Sequence, residues 1–192
     1  MLWLVPGIWL AFFACWLILG LFNKKASRDV PWRRRAWGAR LALLLVVLVF
    51  ARSIRHVSPG SAASIRHALS LHPGMGWQWV GIGLMLIGFG FAAWARIHLG
   101  RNWGMPMSLR QGHELVTSGP YAHVRHPIYS GIMLATIGAI LAAGLVWLVP
   151  FVLCIVYFLV SARTEEQMMI TQFPDTYPTY RRRTKMLIPF VL

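Results

Sequence analysis

The chain has five acidic residues, and two of them, Glu165 and Glu166, are adjacent, just after Arg163 and Thr164. A third, Glu114, stands in the run Gly112-His113-Glu114-Leu115-Val116-Thr117-Ser118-Gly119-Pro120-Tyr121, which continues through Arg125-His126-Pro127-Ile128-Tyr129 to Gly131. Carboxylates beside apolar helices are costly unless they have a partner or a task. Gly119 and Pro120 permit a sharp turn that exposes backbone N–H and C=O groups. Tyr121 and Tyr129 offer aromatic faces to a purine or a sulfonium, with cation–π attraction available. His126 donates or accepts a hydrogen bond, and Pro127 stands where a helix start tolerates proline. Such a set suits a ligand with a cation and several polar edges. The same residues would equally make a structural Arg125–Glu165 ion pair with histidines at an interface. There is no P-loop, metal-ligand triad or Ser–His–Asp pattern, so phosphoryl transfer and acyl hydrolysis lack their equipment.

These residues have to be positioned by apolar helices. Of 192 residues 57% are hydrophobic, yet the formal net charge is +14. A disordered basic tail would be poor in large apolar side chains. A soluble nucleic-acid binder would not have a mean hydropathy of +0.58 or ten Trp. An all-α membrane protein remains, organised as a single integral-membrane domain over residues 1–192. A bilayer core needs about 20 mostly apolar residues per helix. Met1–Phe22 and Pro73–Ala95 each supply one uncharged stretch, and the first is read as a retained helix rather than a cleaved signal peptide. Pro127–Ala162 holds 36 residues without a charged side chain or a histidine. That length predicts a tight hairpin of two short spans turning at Gly144. Ala36–Val57 spans if its terminal arginines snorkel to the headgroups, which brings the expected count to about five.

Charge then orients the chain. With five spans, sixteen of the nineteen basic residues share one side, and Arg52, Arg55 and Arg66 are left on the other. The positive-inside rule predicts an outer N-terminus and a cytoplasmic C-terminus. The expected membrane is the inner membrane of a prokaryote or the endoplasmic reticulum of a eukaryote.

Other patterns carry less. Gly81, Gly83, Gly88 and Gly90 imitate a dinucleotide-binding glycine run but have no strand or βαβ context. Gly81, Gly88 and Ala95 recur every seven residues, which predicts a close-packing helix seam. Cys15 and Cys154 read as small buried apolar residues within helices. His56, His67 and His72 have no metal-site spacing, and no metal is expected.

Leu115-Val116-Thr117-Ser118-Gly119-Pro120-Tyr121 followed by Arg125-His126-Pro127-Ile128-Tyr129-Ser130-Gly131 resembles the isoprenylcysteine carboxyl methyltransferase family. Glu165-Glu166, then Phe173, Tyr177, Tyr180 and Pro189, is similar to that family's C-terminal signature. Ile97-His98-Leu99-Gly100-Arg101-Asn102-Trp103 resembles the stretch that precedes it. The resemblance covers about residues 94–192, and residues 1–93 read as generic membrane helices. It implies an integral-membrane methyltransferase that uses S-adenosylmethionine and releases S-adenosylhomocysteine. Cofactor contacts are then expected at His113, Glu114, Leu115, Val116, Tyr121, His126, Pro127, Ile128, Tyr129 and Glu165. The resemblance also implies a cytoplasmic pocket capped by the C-terminal segment, with a lipophilic or prenylated substrate entering between helices among membrane lipids.

Two departures stand out. The family's Phe-Gly pair is Phe173-Pro174 here. Its substrate-binding arginine falls at Ser161 by gapless counting, with Arg163 two residues on. Arg163 and Glu166 are therefore the expected catalytic residues. A carboxylate acceptor is already ionised and needs only alignment. An amine acceptor, as in a phospholipid N-methyltransferase, would need a base such as Glu166. A non-enzymatic protein whose basic face binds anionic lipid is the reading from another class.

Overall fold

Glycine spacing sets the central packing. The computed structural model describes residues 4–21, 74–103 and 114–188. Within them, helix α2 (Met75–Leu99) lies against helix α3 (Pro127–Ala143). A Cβ added at Gly81 would come within 2.6 Å of the Gly138 carbonyl oxygen, and one at Gly88 within 2.5 Å of the Gly131 carbonyl oxygen. Gly81 thus faces Gly138 and Gly88 faces Gly131, so the two helices run antiparallel. Gly83 and Gly90 have nothing within 4 Å of such a Cβ, and Ala95 is fully buried. The seven-residue recurrence is therefore the seam, and the intervening glycines look away from it. Lipid gives helices no hydrophobic reason to associate, so this close backbone approach supplies the dispersion contacts.

The 36-residue apolar stretch folds as the expected hairpin. Helix α3 ends at Gly144, whose φ of 95° reverses the chain. A single 3-10 turn, Leu145–Trp147, leads into α4 (Leu148–Gln172). Helix α4 continues ten residues beyond Ala162, so Glu165 and Glu166 are helical residues and not part of a connecting loop. A short α5 (Tyr177–Arg183) follows, after which the chain runs back beside Val124.

Helix α1 (Leu4–Gly20) is held by aromatic packing. Phe12 stacks on Phe89 at 4.2 Å, and Trp9 stacks on Trp147 at 5.6 Å. At its other end, Arg96 Nη2 donates to the Leu19 carbonyl at 2.7 Å and Nη1 to the Gly100 carbonyl at 2.9 Å. The sequence counts Arg96 among the basic residues of a membrane face. It is instead only 2% exposed, capping the carbonyl end of α1 with its guanidinium 4.4 Å from the Trp103 ring centroid.

Helix α2 and the segment Leu145–Gln172 are long and apolar enough to cross a membrane, and α1 and α3 are shorter apolar helices. Leu10, Phe13, Leu17 and Leu21 form an exposed stripe along one end of the chain, as do Val152, Val156 and Val160 on α4. Such stripes suit contact with lipid, and Cys15, expected to be buried, is exposed on α1, while Cys154 is half-buried. The expected span at 36–57 lies outside the described residues, as do His56, His67, His72, His113, Pro189 and the basic run 24–40.

Candidate active site

Glu165 and Glu166 are one residue apart, so on an α-helix they point about 100° from each other. That angle separates their roles. Phe158 lies two turns before Glu165 and shares its face. Opposite them, Tyr129 in the first turn of α3 donates its hydroxyl to Glu165 Oε1 at 2.5 Å. Its ring stacks between Phe158, at 4.4 Å, and His126, at 5.4 Å. His126 Nδ1 lies 3.4 Å from Glu165 Oε2.

Glu166 turns the other way and is 3% exposed. It accepts from Arg125 Nε at 2.6 Å and pairs with Arg181 Nε at 3.2 Å. The structural ion pair expected between Arg125 and Glu165 therefore forms with Glu166 instead. The cause is helix geometry: the face that meets Arg125 carries the second carboxylate.

The C-terminal segment closes over this arrangement. Arg125 N donates to the Lys185 carbonyl at 2.8 Å, and His126 N to the Met186 carbonyl at 3.1 Å. Ser130 Oγ donates to the Leu187 carbonyl, and Arg125 Nη1 to the Thr184 carbonyl. Tyr180 completes the clamp with a bond to the Tyr121 carbonyl at 2.7 Å. Tyr121 itself stands on the 3-10 turn Gly119–Ala122. Gly119, at φ 59°, starts that turn with the His98 ring so near that a Cβ would meet it at 2.7 Å.

Burial shifts several of these groups. It pulls the His126 pKa down, but the carboxylates of Glu165 and Glu166 outweigh it, and the net direction is upward from 6.5. Burial raises Tyr180 to about 12 and Tyr121 further, so both phenols stay protonated donors.

A cavity of about 200 Å³ results. Glu114, Leu115, Val116, Tyr121, His126, Pro127, Ile128, Tyr129 and Glu165 all line it. These are the expected cofactor residues with the exception of His113, which lies outside the described residues. The two expected catalytic residues are not brought in. Glu166 does not line the cavity because it faces Arg125 and Arg181, and Arg163, on a third face of α4, is exposed. Ser161, the gapless position of the family's arginine, is fully buried.

Sequence reasoning passed over Trp16, Phe158 and Met169, which complete the apolar walls. Phe158 was within reach, since it stands seven residues before Glu165. Trp16 had no local sign, because α1 is apolar on every side.

Apolar helices, a glycine seam and a carboxylate-lined cavity at one end of the bundle describe an integral membrane protein that is helical in its described residues. Residues 80–171 match the model of the isoprenylcysteine carboxyl methyltransferase family. The matched range starts earlier than the expected residue 94. It takes in most of α2 with its seam and stops one residue before α4 ends.

A protein-S-isoprenylcysteine O-methyltransferase of Schizosaccharomyces pombe is 29% identical over 124 residues, 60% of this chain and 50% of the relative. A cobalt-zinc-cadmium resistance protein of Cupriavidus metallidurans is 29% identical over 125 residues, 59% of this chain and 53% of the relative. The chain thus spans about half the length of these curated relatives. The solved structure of a eukaryotic intramembrane Ras methyltransferase, isoprenylcysteine carboxyl methyltransferase, is similar in fold at a TM-score of 0.55. That similarity has 21% identity and covers 86% of this chain and 55% of the other.

Proposed function

We propose that this protein transfers the methyl group of S-adenosylmethionine to a lipophilic acceptor, the carboxylate of an isoprenylcysteine-like molecule being favoured. The observation that carries this reading is the convergence of Glu114, Tyr121, His126, Tyr129 and Glu165 on one cavity. These residues fit a cofactor with cationic groups and a purine ring. Two carboxylates offer charge complementarity, and Tyr121, Leu115 and Ile128 offer aromatic and apolar surface. The resemblance adds His113, the residue before Glu114 in the sequence, to the cofactor contacts.

When bound, the cofactor supplies an electrophilic sulfonium methyl group and leaves as S-adenosylhomocysteine. The protein's part is to bind and align. Tyr129 fixes the Glu165 carboxylate by donating to it, and His126 braces the ring of Tyr129 by stacking. Glu166, with its charge met by two guanidinium groups, serves as a positioning residue that anchors Arg125 and α5. It is not placed to take a proton from an amine. A carboxylate acceptor needs no base, which supports ester formation over phospholipid N-methylation. The name of the Schizosaccharomyces pombe relative points the same way. Arg163, exposed on α4, is assigned no step. In the topology that accompanies this reading, about five spans leave the N-terminus outside and the cavity facing the cytoplasm.

Labelled cofactor supplied with either a farnesyl-cysteine analogue or phosphatidylethanolamine tests the acceptor. Label in the cysteine product is expected, and label in the amine lipid alone overturns the carboxyl reading. Calorimetry with S-adenosylhomocysteine tests the enzyme reading itself. Binding weakened by Glu165→Ala and His126→Ala is expected. No binding, or binding indifferent to both changes, leaves the non-enzymatic lipid-binding reading in its place.

A further inference from the structure

We propose that a second, cationic cleft beside the candidate active site binds the phosphate of an anionic phospholipid headgroup, and so fastens the C-terminal segment over the cavity. The cleft has a volume of about 360 Å³ and is lined chiefly by Arg181, Arg182, Arg183, Thr184 and Lys185. Arg125 lines this cleft and the active-site cavity alike, making it a shared wall.

Charge at the cleft is in surplus. Residues 177–188 contain four cationic side chains and no acidic one. Among the described residues only Arg181 of these four reaches a carboxylate, that of Glu166, which Arg125 already approaches more closely. Even so, Arg181 remains 49% exposed. Arg182 donates to Thr179 Oγ1, a neutral partner, and Arg183 and Lys185 are exposed. Guanidinium groups clustered in this way match phosphate oxygens, which accept paired N–H donors.

Position selects a lipid as the source of that phosphate. Arg125, in the cleft wall, stands two residues before apolar α3 begins, and Arg181 pairs with Glu166, four residues past the end of the uncharged run at Ala162, so the cluster stands where apolar helices leave the hydrocarbon. Ile188, next to the cleft along the chain, is 49% exposed. An apolar side chain beside four cations suits the boundary between headgroups and acyl chains, where anionic lipids attract basic segments. A soluble phosphate would meet the charges but leave Ile188 in water.

Occupancy has a structural consequence. The carbonyls of Arg181 and Thr184 accept from Arg125, and that of Lys185 accepts from its backbone N–H. A headgroup that holds these residues therefore also holds the segment that closes the cavity. The inference concerns lipid contact, so it stands whichever methyl acceptor is correct.

The test uses the full chain in nanodiscs, with hydrogen–deuterium exchange read over residues 177–188 as phosphatidylglycerol is titrated into phosphatidylcholine. Slower exchange with phosphatidylglycerol is expected. In Arg182→Gln/Arg183→Gln/Lys185→Gln, which spares Arg125 and Arg181, the apparent affinity should fall about fivefold per charge removed. A variant with Lys24→Gln/Lys25→Gln/Arg28→Gln removes as many charges at distant sequence positions and should keep the protection. If the triple variant does not fold, Arg183→Gln alone is used, with the fivefold loss still expected. Equal exchange in both lipids overturns the proposal, and so does full protection in the cleft variant. Equal protection from inorganic phosphate in phosphatidylcholine discs also overturns it, since the site would then be one for soluble anions.

Discussion

Arg125 Nε lies 2.6 Å from Glu166 Oε1, with the two side chains only 8% and 3% exposed. One partner comes from the segment that caps α3 and the other from α4, so this pair joins the two walls of the cavity. Removing Glu166 leaves Arg125 charged and buried, which costs about 3–5 kcal/mol, whereas removing Arg125 leaves Glu166 its pairing with Arg181. Glu166→Gln should lower thermal stability in detergent by that order, and Arg125→Met by less. The double variant Arg125→Met/Glu166→Met should recover part of the loss, because no lone charge remains. Strictly additive losses would show that the two side chains do not depend on each other.

His126 gives a pH dependence. The groups facing it are Glu165 and Glu166, with the neutral ring of Tyr129 stacked alongside. Its folded pKa is raised despite burial. The stability from the charged imidazole is therefore fully present below the unfolded value of about 6.5 and is lost as pH rises through the folded value. The stability gap between wild type and His126→Gln should be largest in mild acid and narrow in alkali. Unfolding midpoints across the neutral range check this, and a constant gap is the contrary outcome.

Much of this architecture was legible because the relevant patterns are local. The hairpin follows from an uncharged run with one glycine near its middle. The seam follows from small residues at helical spacing. Most of the cavity lining carried a motif. What stayed hidden depends on distant pairing or on choosing between neighbours. Val124 and Lys185 bridge across sixty-one residues with no periodic sign. Sequence shows that Glu165 and Glu166 must diverge, but which of them faces the cavity is decided by where α3 meets α4. Arg96 looks like a surface charge at the end of a span, and only the docking of α1 reveals its buried role.

The α2–α3 seam makes a sharp prediction because its control lies two residues away. A Cβ at Gly88 meets the Gly131 carbonyl oxygen at 2.5 Å, and one at Gly90 meets nothing within 4 Å. Backbone cannot yield as a flexible side chain would. Gly88→Ala should therefore destabilise by about 1–3 kcal/mol. Gly90→Ala should be neutral or slightly stabilising, since alanine favours the helix. Thermal unfolding of the two variants in the same detergent decides the matter, and equal losses would count against the seam.

Gapless counting puts the substrate arginine of the resembled family at Ser161, whose surroundings show what that position accepts. The side chain is fully buried, and its hydroxyl has no hydrogen-bond partner among the described residues. Replacing it with alanine removes a desolvated polar group without breaking a bond, so Ser161→Ala should be neutral or stabilising by up to about 1 kcal/mol. Arginine there would push a guanidinium into a closed helix interface, so Ser161→Arg should destabilise strongly rather than strengthen the hold on an acceptor carboxylate. Thermal unfolding gives the first comparison, and the apparent affinity for a farnesyl-cysteine analogue gives the second. A stable Ser161→Arg variant with tighter acceptor binding would show that α4 can present a cation from this position after all.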